Sequence, residues 1–388
     1  MGTHLRENLL LAALKIVRRF DRRQPEMARL GGPTIKKILA ISCTAIGDTL
    51  MSTPAIRSLR LAYPNAHITL LLNRTHIPLF TNNPDINETL PYDGGYKRFL
   101  RLAVGLHRRH FDLAVILHGN EPQATPLAYL SGADFRFKLP NNNQFRFLLS
   151  NHETIQRWED FGHGIEQRLA VAVLAGGRAT DRTMTVVTTE QARQRLLARL
   201  ENRNITEEAT LVGFQAGAST VSRRWPAERF AELAKRLLAD NERTWIVLSG
   251  SRNERALAEK IATLIDSSRV WVAAGEPGID ELPALFGRMR VLVSGDTGPM
   301  HLAVAVRTPV VALFAVSDWR RSGPAYDLDR HQIIQKWRTC SPCLSKRCPY
   351  TEPPCMNNIS VDEVEEAIRE IVLQKRGNAL TTGNGPSV

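Results

Sequence analysis

The chain has 388 residues, more than one ordinary core supports, so two domains of about 150 to 200 residues each are expected. Hydrophobic residues make up 43% and charged residues 23%, and no apolar run approaches the roughly 20 residues of a spanning helix, which excludes an integral helical membrane protein. Lys and Arg exceed Asp and Glu by 51 − 39 = +12, which calls for an anionic partner: phosphorylated substrate, anionic membrane surface or nucleic acid.

The segment 1–34 opens with Leu5, Leu9, Leu10, Ala13, Leu14, Ile16, Val17 and Phe20 near helical spacing, among Arg6, Lys15, Arg18, Arg19, Arg22 and Arg23. This basic amphipathic helix suits either a membrane interface or a seat on the protein's own surface. Its apolar stretch is short and no A-x-A-like site follows, so it is not read as a signal peptide.

From 35 to 200 short apolar runs alternate with amphipathic stretches, the pattern of βα units around a parallel sheet. Ile38–Ser42, His67–Leu72 and Leu113–Leu117 read as strands, and Pro54–Tyr63, Tyr96–Arg109 and Gly164–Leu174 as helices. Pro140–Phe161 reads as a long functional loop. Leu200–Glu208 is charged and reads as the linker.

A second α/β series fills 201–359. Strands are expected at Leu211–Gln215, Trp245–Leu248, Val270–Val272, Val291–Ser294 and Val310–Phe314, with helices at Ala227–Asp240 and Asn253–Leu264. A final helix over 360–376 is capped by Ser360, with Glu363 completing a capping box, and 377–388 reads as a disordered tail.

Ligands of open parallel sheets bind at the carboxyl ends of strands, so the turns there carry the chemistry. After Val291–Ser294 comes Gly295-Asp296-Thr297-Gly298-Pro299-Met300-His301, entering a helix read over His301–Val306. Gly298 permits close backbone approach, Pro299 suits a first helical turn, and the amides there favour a pyrophosphate. Thr297 adds a hydroxyl, and His301 lies one turn inside. After Leu211–Gln215 comes a small-residue turn, Ala216 to Thr220, ending in Arg223-Arg224-Trp225-Pro226, where Arg223 or Arg224 supplies forked donors for phosphate. After Ile38–Ser42 comes Cys43-Thr44-Ala45-Ile46-Gly47-Asp48. Asp48 there is either a helix-start charge or the carboxylate that deprotonates an acceptor hydroxyl. No GxGxxG fingerprint follows any strand, which disfavours a nicotinamide enzyme, and no nucleic-acid motif accompanies the positive charge.

Together these turns resemble glycosyltransferase family 9, the heptosyltransferases of lipopolysaccharide core assembly. The resemblance spans most of Lys36–Ile368. It rests on Ile46-Gly47-Asp48, Pro54-Ala55-Ile56-Arg57-Ser58-Leu59 and Tyr63-Pro64, on Gly217 with Arg224-Trp225-Pro226, and on Asp296 to His301 followed by Thr308-Pro309-Val310. It implies a GT-B fold, two facing Rossmann-like α/β domains with parallel sheets. The first is the acceptor side and the second binds the nucleotide sugar. It further implies Asp48 as general base, Asp296, Thr297, Gly298 and His301 as donor-contacting residues, and Glu254 as the nucleoside contact. Inverting transfer from ADP-heptose to a lipid-linked core oligosaccharide, at the cytoplasmic membrane face and with no catalytic metal, is what the family performs. Another nucleotide sugar, or a nucleotide-sugar-binding scaffold without turnover, fits the same motifs. At Arg223 the family usually carries Lys, so the charge is kept but delivered as a planar fork.

Four of the five cysteines form Cys340-x2-Cys343-x4-Cys348-x6-Cys355, a crowding unlike a secreted disulfide framework and fitting a reducing cytoplasm. The spacing suits either a structural zinc or iron site or reduced, partly buried thiols. Similar Cys-x-Pro-Cys segments occur in some family members, and an iron-binding cysteine set occurs in related autotransporter heptosyltransferases.

Overall fold

The computed structural model describes residues 2–381 apart from 24–25, 119–120, 140–142, 152–154, 157–159, 338–339, 341–342 and 344–347. The chain divides into two units, Met1–Val187 and Thr188–Val388. The division falls ahead of the helix Glu190–Glu201, whose Leu196 and Leu200 are buried and whose Arg195 and Arg199 both bind Glu281 of the second unit. This helix was not expected, because its mostly polar sequence shows only a narrow apolar stripe.

The first unit is built on five parallel strands: β1 (Lys37–Ser42), β2 (His67–Asn73), β3 (Glu88–Tyr92), β4 (Leu113–His118) and β5 (Phe135–Lys138). They lie in the order β3-β2-β1-β4-β5. β1, β2 and β4 are buried almost throughout, as continuous apolar runs covered on both faces must be. β3 and β5 escape a pattern reading. β3 contains Pro91, tolerated because it runs along a sheet edge. β5 alternates with Arg136 and Lys138, which are nonetheless buried. Arg136 is accommodated by carbonyls of Ala133, Asp134 and Leu148, and burial draws the Lys138 ammonium down to a pKa of about 8.

The helix after β1 runs Ile46–Ala62, beginning well before the expected Pro54. Proline leaves the Leu50 carbonyl without its helical donor, and the Thr53 hydroxyl fills that place at 2.8 Å. The shift matters, because it puts Asp48 inside the first turn. The Tyr63-Pro64 segment is structural: Tyr63 donates to the Ala175 carbonyl at 2.7 Å and accepts from the Gly31 amide at 2.9 Å. Gly176 is the residue that permits this, since a Cβ there would overlap the Tyr63 hydroxyl.

The second unit carries six parallel strands: β6 (Thr210–Gln215), β7 (Thr244–Ser249), β8 (Val270–Val272), β9 (Val291–Gly295), β10 (Val310–Phe314) and β11 (Gln332–Gln335). Their order, β11-β10-β9-β6-β7-β8, is the Rossmann order. β11 is an edge strand of four residues, Gln-Ile-Ile-Gln, too short for the sequence pattern to reveal. The Val361–Thr381 helix starts with the expected capping box: Ser360 Oγ accepts from the Glu363 amide, and the Glu363 carboxylate accepts from the Ser360 amide at 2.9 Å. It continues into the segment expected as a tail, and residues 382–388 lie outside the described residues. Its Val364, Ile368 and Ile371 join Phe214 and Phe230 in the core.

Candidate active site

In each sheet the strand order reverses beside the first strand, and the carboxyl ends at that point form the crevice where ligands bind. In the first unit the reversal lies between β1 and β4, and in the second between β6 and β9. The three motif turns follow β1, β6 and β9, so each opens at one of these reversals.

Asp48 occupies the third position of the Ile46–Ala62 helix, where the first-turn amides favour a negative charge. Arg168, on the Gly164–Leu174 helix, donates from NH2 to Asp48 Oδ1 at 2.9 Å. Its other donors reach Ser52 Oγ at 3.1 Å and the Gly164 carbonyl at 2.5 Å, so a guanidinium 2% exposed is held on three sides. Burial lowers the Arg168 pKa while Asp48 opposes the shift, and the planar cation stays charged. Asp48 itself keeps 24% of its side chain exposed.

Thr44 and His118 complete the cluster. Thr44 Oγ1 donates to Asp48 Oδ2 at 3.0 Å and lies 2.7 Å from His118 Nδ1, while His118 Nε2 is 3.5 Å from Asp48 Oδ1. One hydroxyl proton cannot serve both neighbours, so Thr44 donating to Asp48 requires His118 to present Nδ1–H to the Thr44 oxygen. Burial first, and the Arg168 cation second, push the His118 pKa down to about 4, which keeps the ring neutral at physiological pH. Sequence reading missed Thr44, His118 and Arg168. A histidine closing the strand beside the reversal was a usable signal; a buried Arg168 inside an ordinary helix gave none.

In the second unit the helix after β9 runs Gly298–Ala305, starting earlier than the expected His301. Thr297 is therefore its N-cap, Gly298 its first residue, and His301 a buried residue one turn in. Thr297 makes no side-chain cap bond and instead meets Ser294 Oγ at 2.9 Å, leaving the first-turn amides of Gly298 and Met300 without partners inside the helix. Asp296 Oδ2 accepts from Ser317 Oγ at 2.7 Å and lies 3.4 Å from Arg223 NH1. Arg223 Nε is buried without a hydrogen-bond partner, a donor poised beside the helix start.

The two arginines diverge. Arg223 turns to Asp296, whereas Arg224 donates from Nε and NH2 to the Ala218 carbonyl and braces its own loop. Glu254 completes a capping box with Ser251, accepting from its amide at 2.7 Å, and its carboxylate sits against Gly217, where any Cβ would overlap it. Gly217 and Glu254 are thus one feature at the end of β6.

Cys340, Cys343, Cys348 and Cys355 are free thiols. Among the described residues no three His, Cys, Asp or Glu side chains are placed to hold a metal ion. Burial raises the Cys355 thiol pKa, and nearby Cys343 and Cys348 add to the shift.

Residues 99–353 match the family described as glycosyltransferase family 9 (heptosyltransferase). The chain belongs to this family.

Curated relatives agree. Lipopolysaccharide heptosyltransferase 2 of Escherichia coli is 28% identical over 297 residues, 72% of this chain and 83% of that protein. Its Salmonella typhimurium counterpart is 26% identical over 294 residues, with the same shares covered. Among solved structures, the family 9 glycosyl transferase from Veillonella parvula superimposes with a TM-score of 0.74 at 23% identity, covering 87% of this chain and 97% of that one. Escherichia coli ADP-heptose lps heptosyltransferase II gives 0.73 at 23% identity, covering 88% and 99%. These likenesses show the GT-B fold expected from the sequence. The chain is a heptosyltransferase-type glycosyltransferase. In this family 9 chain the Arg-Trp-Pro segment is structural in part: Trp225 is buried against Phe230 and donates to the Ile359 carbonyl at 3.0 Å, tying the β6 turn to the last helix.

Proposed function

We propose that this glycosyltransferase moves heptose from ADP-heptose to the lipid-linked inner core of lipopolysaccharide, with inversion, on the cytoplasmic side of the inner membrane. The observation that carries the reading is Asp48: a carboxylate fixed by Arg168 and Thr44 at the strand reversal of one unit, while the other unit offers a helix start to an anion. Asp48 takes the proton of the acceptor hydroxyl as its oxygen bonds to the anomeric carbon from the face opposite the leaving group. The bond from that carbon to the β-phosphate oxygen breaks, and ADP leaves with the electron pair. The Gly298 and Met300 amides, Thr297 and Arg223 meet the charge that develops there. Asp296 and His301 shape the sugar side of the same turn, and Glu254 beside Gly217 takes the nucleoside. The relatives named as lipopolysaccharide heptosyltransferases supply the sugar and the acceptor class.

The test is transfer from a panel of nucleotide sugars to a truncated core acceptor, followed by mass spectrometry, for wild type and Asp48→Ala, with ADP binding by calorimetry. The expected result is wild-type transfer from ADP-heptose, and an Asp48→Ala protein that binds ADP normally and transfers at least about 100-fold more slowly. Transfer undiminished in Asp48→Ala overturns the assignment of the base. ADP binding by a wild type inactive with every donor would make the chain a binding module.

A further inference from the structure

The helix Gly2–Phe20 has two apolar faces, and the protein uses only one. Leu14, 2% exposed, packs with Tyr129, Phe145 and Leu148, with Leu10 and Leu11 beside it. The far end is pinned as well. Asp21 accepts from Tyr129 Oη at 2.9 Å and pairs with Arg23, whose guanidinium lies over the Tyr129 ring. The helix is therefore seated on its unit in a fixed rotation.

That rotation turns a second stripe outward. Leu5, Leu9, Ile16 and Phe20 are spaced four, seven and four residues apart and share one face. They are 62%, 63%, 60% and 79% exposed, the most numerous large exposed apolar side chains in any one helix among the described residues. Exposed Lys15 and Arg19 border the stripe on one side and exposed Arg6 on the other. Over 1–23 the charge is six basic against two acidic residues, 6 − 2 = +4.

We infer that this outward stripe is a docking surface for an anionic lipid bilayer, with Leu5, Leu9, Ile16 and Phe20 entering the interface and Arg6, Lys15 and Arg19 at the headgroups. The charge selects the occupant. A second copy of the chain would bring two such basic borders together, whereas anionic headgroups neutralise them. A helix locked to the enzyme by its opposite face carries the whole first unit to the membrane, where the proposed reaction finds its lipid-linked acceptor. The surface is argued from the helix alone and is tested without turnover, so its failure leaves the proposed reaction untouched.

The experiment is co-sedimentation of the full-length protein with phosphatidylcholine vesicles, with and without phosphatidylglycerol, at low and high salt. The variants are Leu9→Ser/Ile16→Ser/Phe20→Ser and, as a control, Leu197→Ser, an exposed apolar residue of the second unit (53%). Melting temperature and solution mass are recorded for each. Wild type is expected to partition onto anionic vesicles and to be released by salt. The triple variant should melt like wild type yet partition at least about tenfold more weakly, while Leu197→Ser is unchanged. Failure of wild type to bind anionic vesicles at low salt overturns the inference. So does equal binding by the triple variant, or a wild-type dimer that the triple variant dissociates without any change in vesicle binding.

Discussion

Arg168 donates to Asp48 at 2.9 Å from a different helix, and its Nε and NH1 donate to Ser52 and Gly164. The guanidinium stabilises the ionised carboxylate and fixes its rotation, so it acts as a positioning residue for the proposed base. Arg168→Lys supplies charge without the fork and loses part of that grip. The expected result is a kcat lowered about 10- to 100-fold with donor KM unchanged, and an acid limb of kcat moved to higher pH because the ionised form is less favoured. A purely structural role would reduce active protein and leave the pH limb in place, which the profile of kcat against pH distinguishes.

His118 is kept neutral by burial, with a folded pKa of about 4 against an ordinary 6.5. Between these values the unfolded chain binds the proton and the folded chain does not, so stability falls as pH drops from 6.5 toward 4. The loss from this residue is on the order of 3 kcal/mol at most. His331, drawn down to about 4 mainly by burial, acts in the same direction. Chemical unfolding followed across this range should therefore slope in wild type and slope less, without becoming flat, in His118→Asn. An unaltered slope would remove His118 from the account.

Arg223 lies 3.4 Å from both the carbonyl oxygen and the carboxylate of Asp296, with Nε buried beside them. Replacing the fork by a point charge keeps the phosphate attraction and loses a directed donor. For Arg223→Lys we expect donor KM to rise about three- to tenfold with kcat within a factor of about two. Steady-state kinetics over a donor series reads both, and identical parameters would show that the fork is immaterial.

Gly217 admits the Glu254 carboxylate into space that a Cβ would fill. Gly217→Ala must expel Glu254, breaking the Ser251 capping box and displacing the proposed nucleoside contact together. The expected outcome is a melting temperature lowered by the equivalent of about 1 kcal/mol and ADP affinity weakened at least about tenfold. Affinity retained in a destabilised protein would place the nucleoside elsewhere.

Trp225 serves as the contrast. Trp225→Phe removes its bond to the Ile359 carbonyl while Arg229 still donates there at 2.6 Å. A cost of about 1 kcal/mol in unfolding free energy is expected, with donor KM unaltered, by denaturant titration and kinetics.

The sequence alone determined the βα alternation, most strand and helix positions and the three turns at strand ends, because these depend on local periodicity and on residues such as Gly298 and Pro299 that act where they stand. It also identified the capping box of Ser360 and Glu363, a contact three residues long. Edge strands β3, β5 and β11 were not legible, since Pro91, Arg136 and the short run Gln332-Ile333-Ile334-Gln335 take strand form only beside neighbours distant in the chain. The same holds for the start of the helix at Ile46, where Thr53 offsets Pro54.

Only the tertiary structure decided which side chains the motif residues meet. It grouped Asp48 with Thr44, His118 and Arg168, separated Arg223 from Arg224, and joined Gly217 to Glu254. It also showed which face of the Gly2–Phe20 helix is consumed in packing and which is left outward. Each is a matter of side chains brought together across long stretches of sequence, and a periodicity that marks a face as apolar does not record what that face meets.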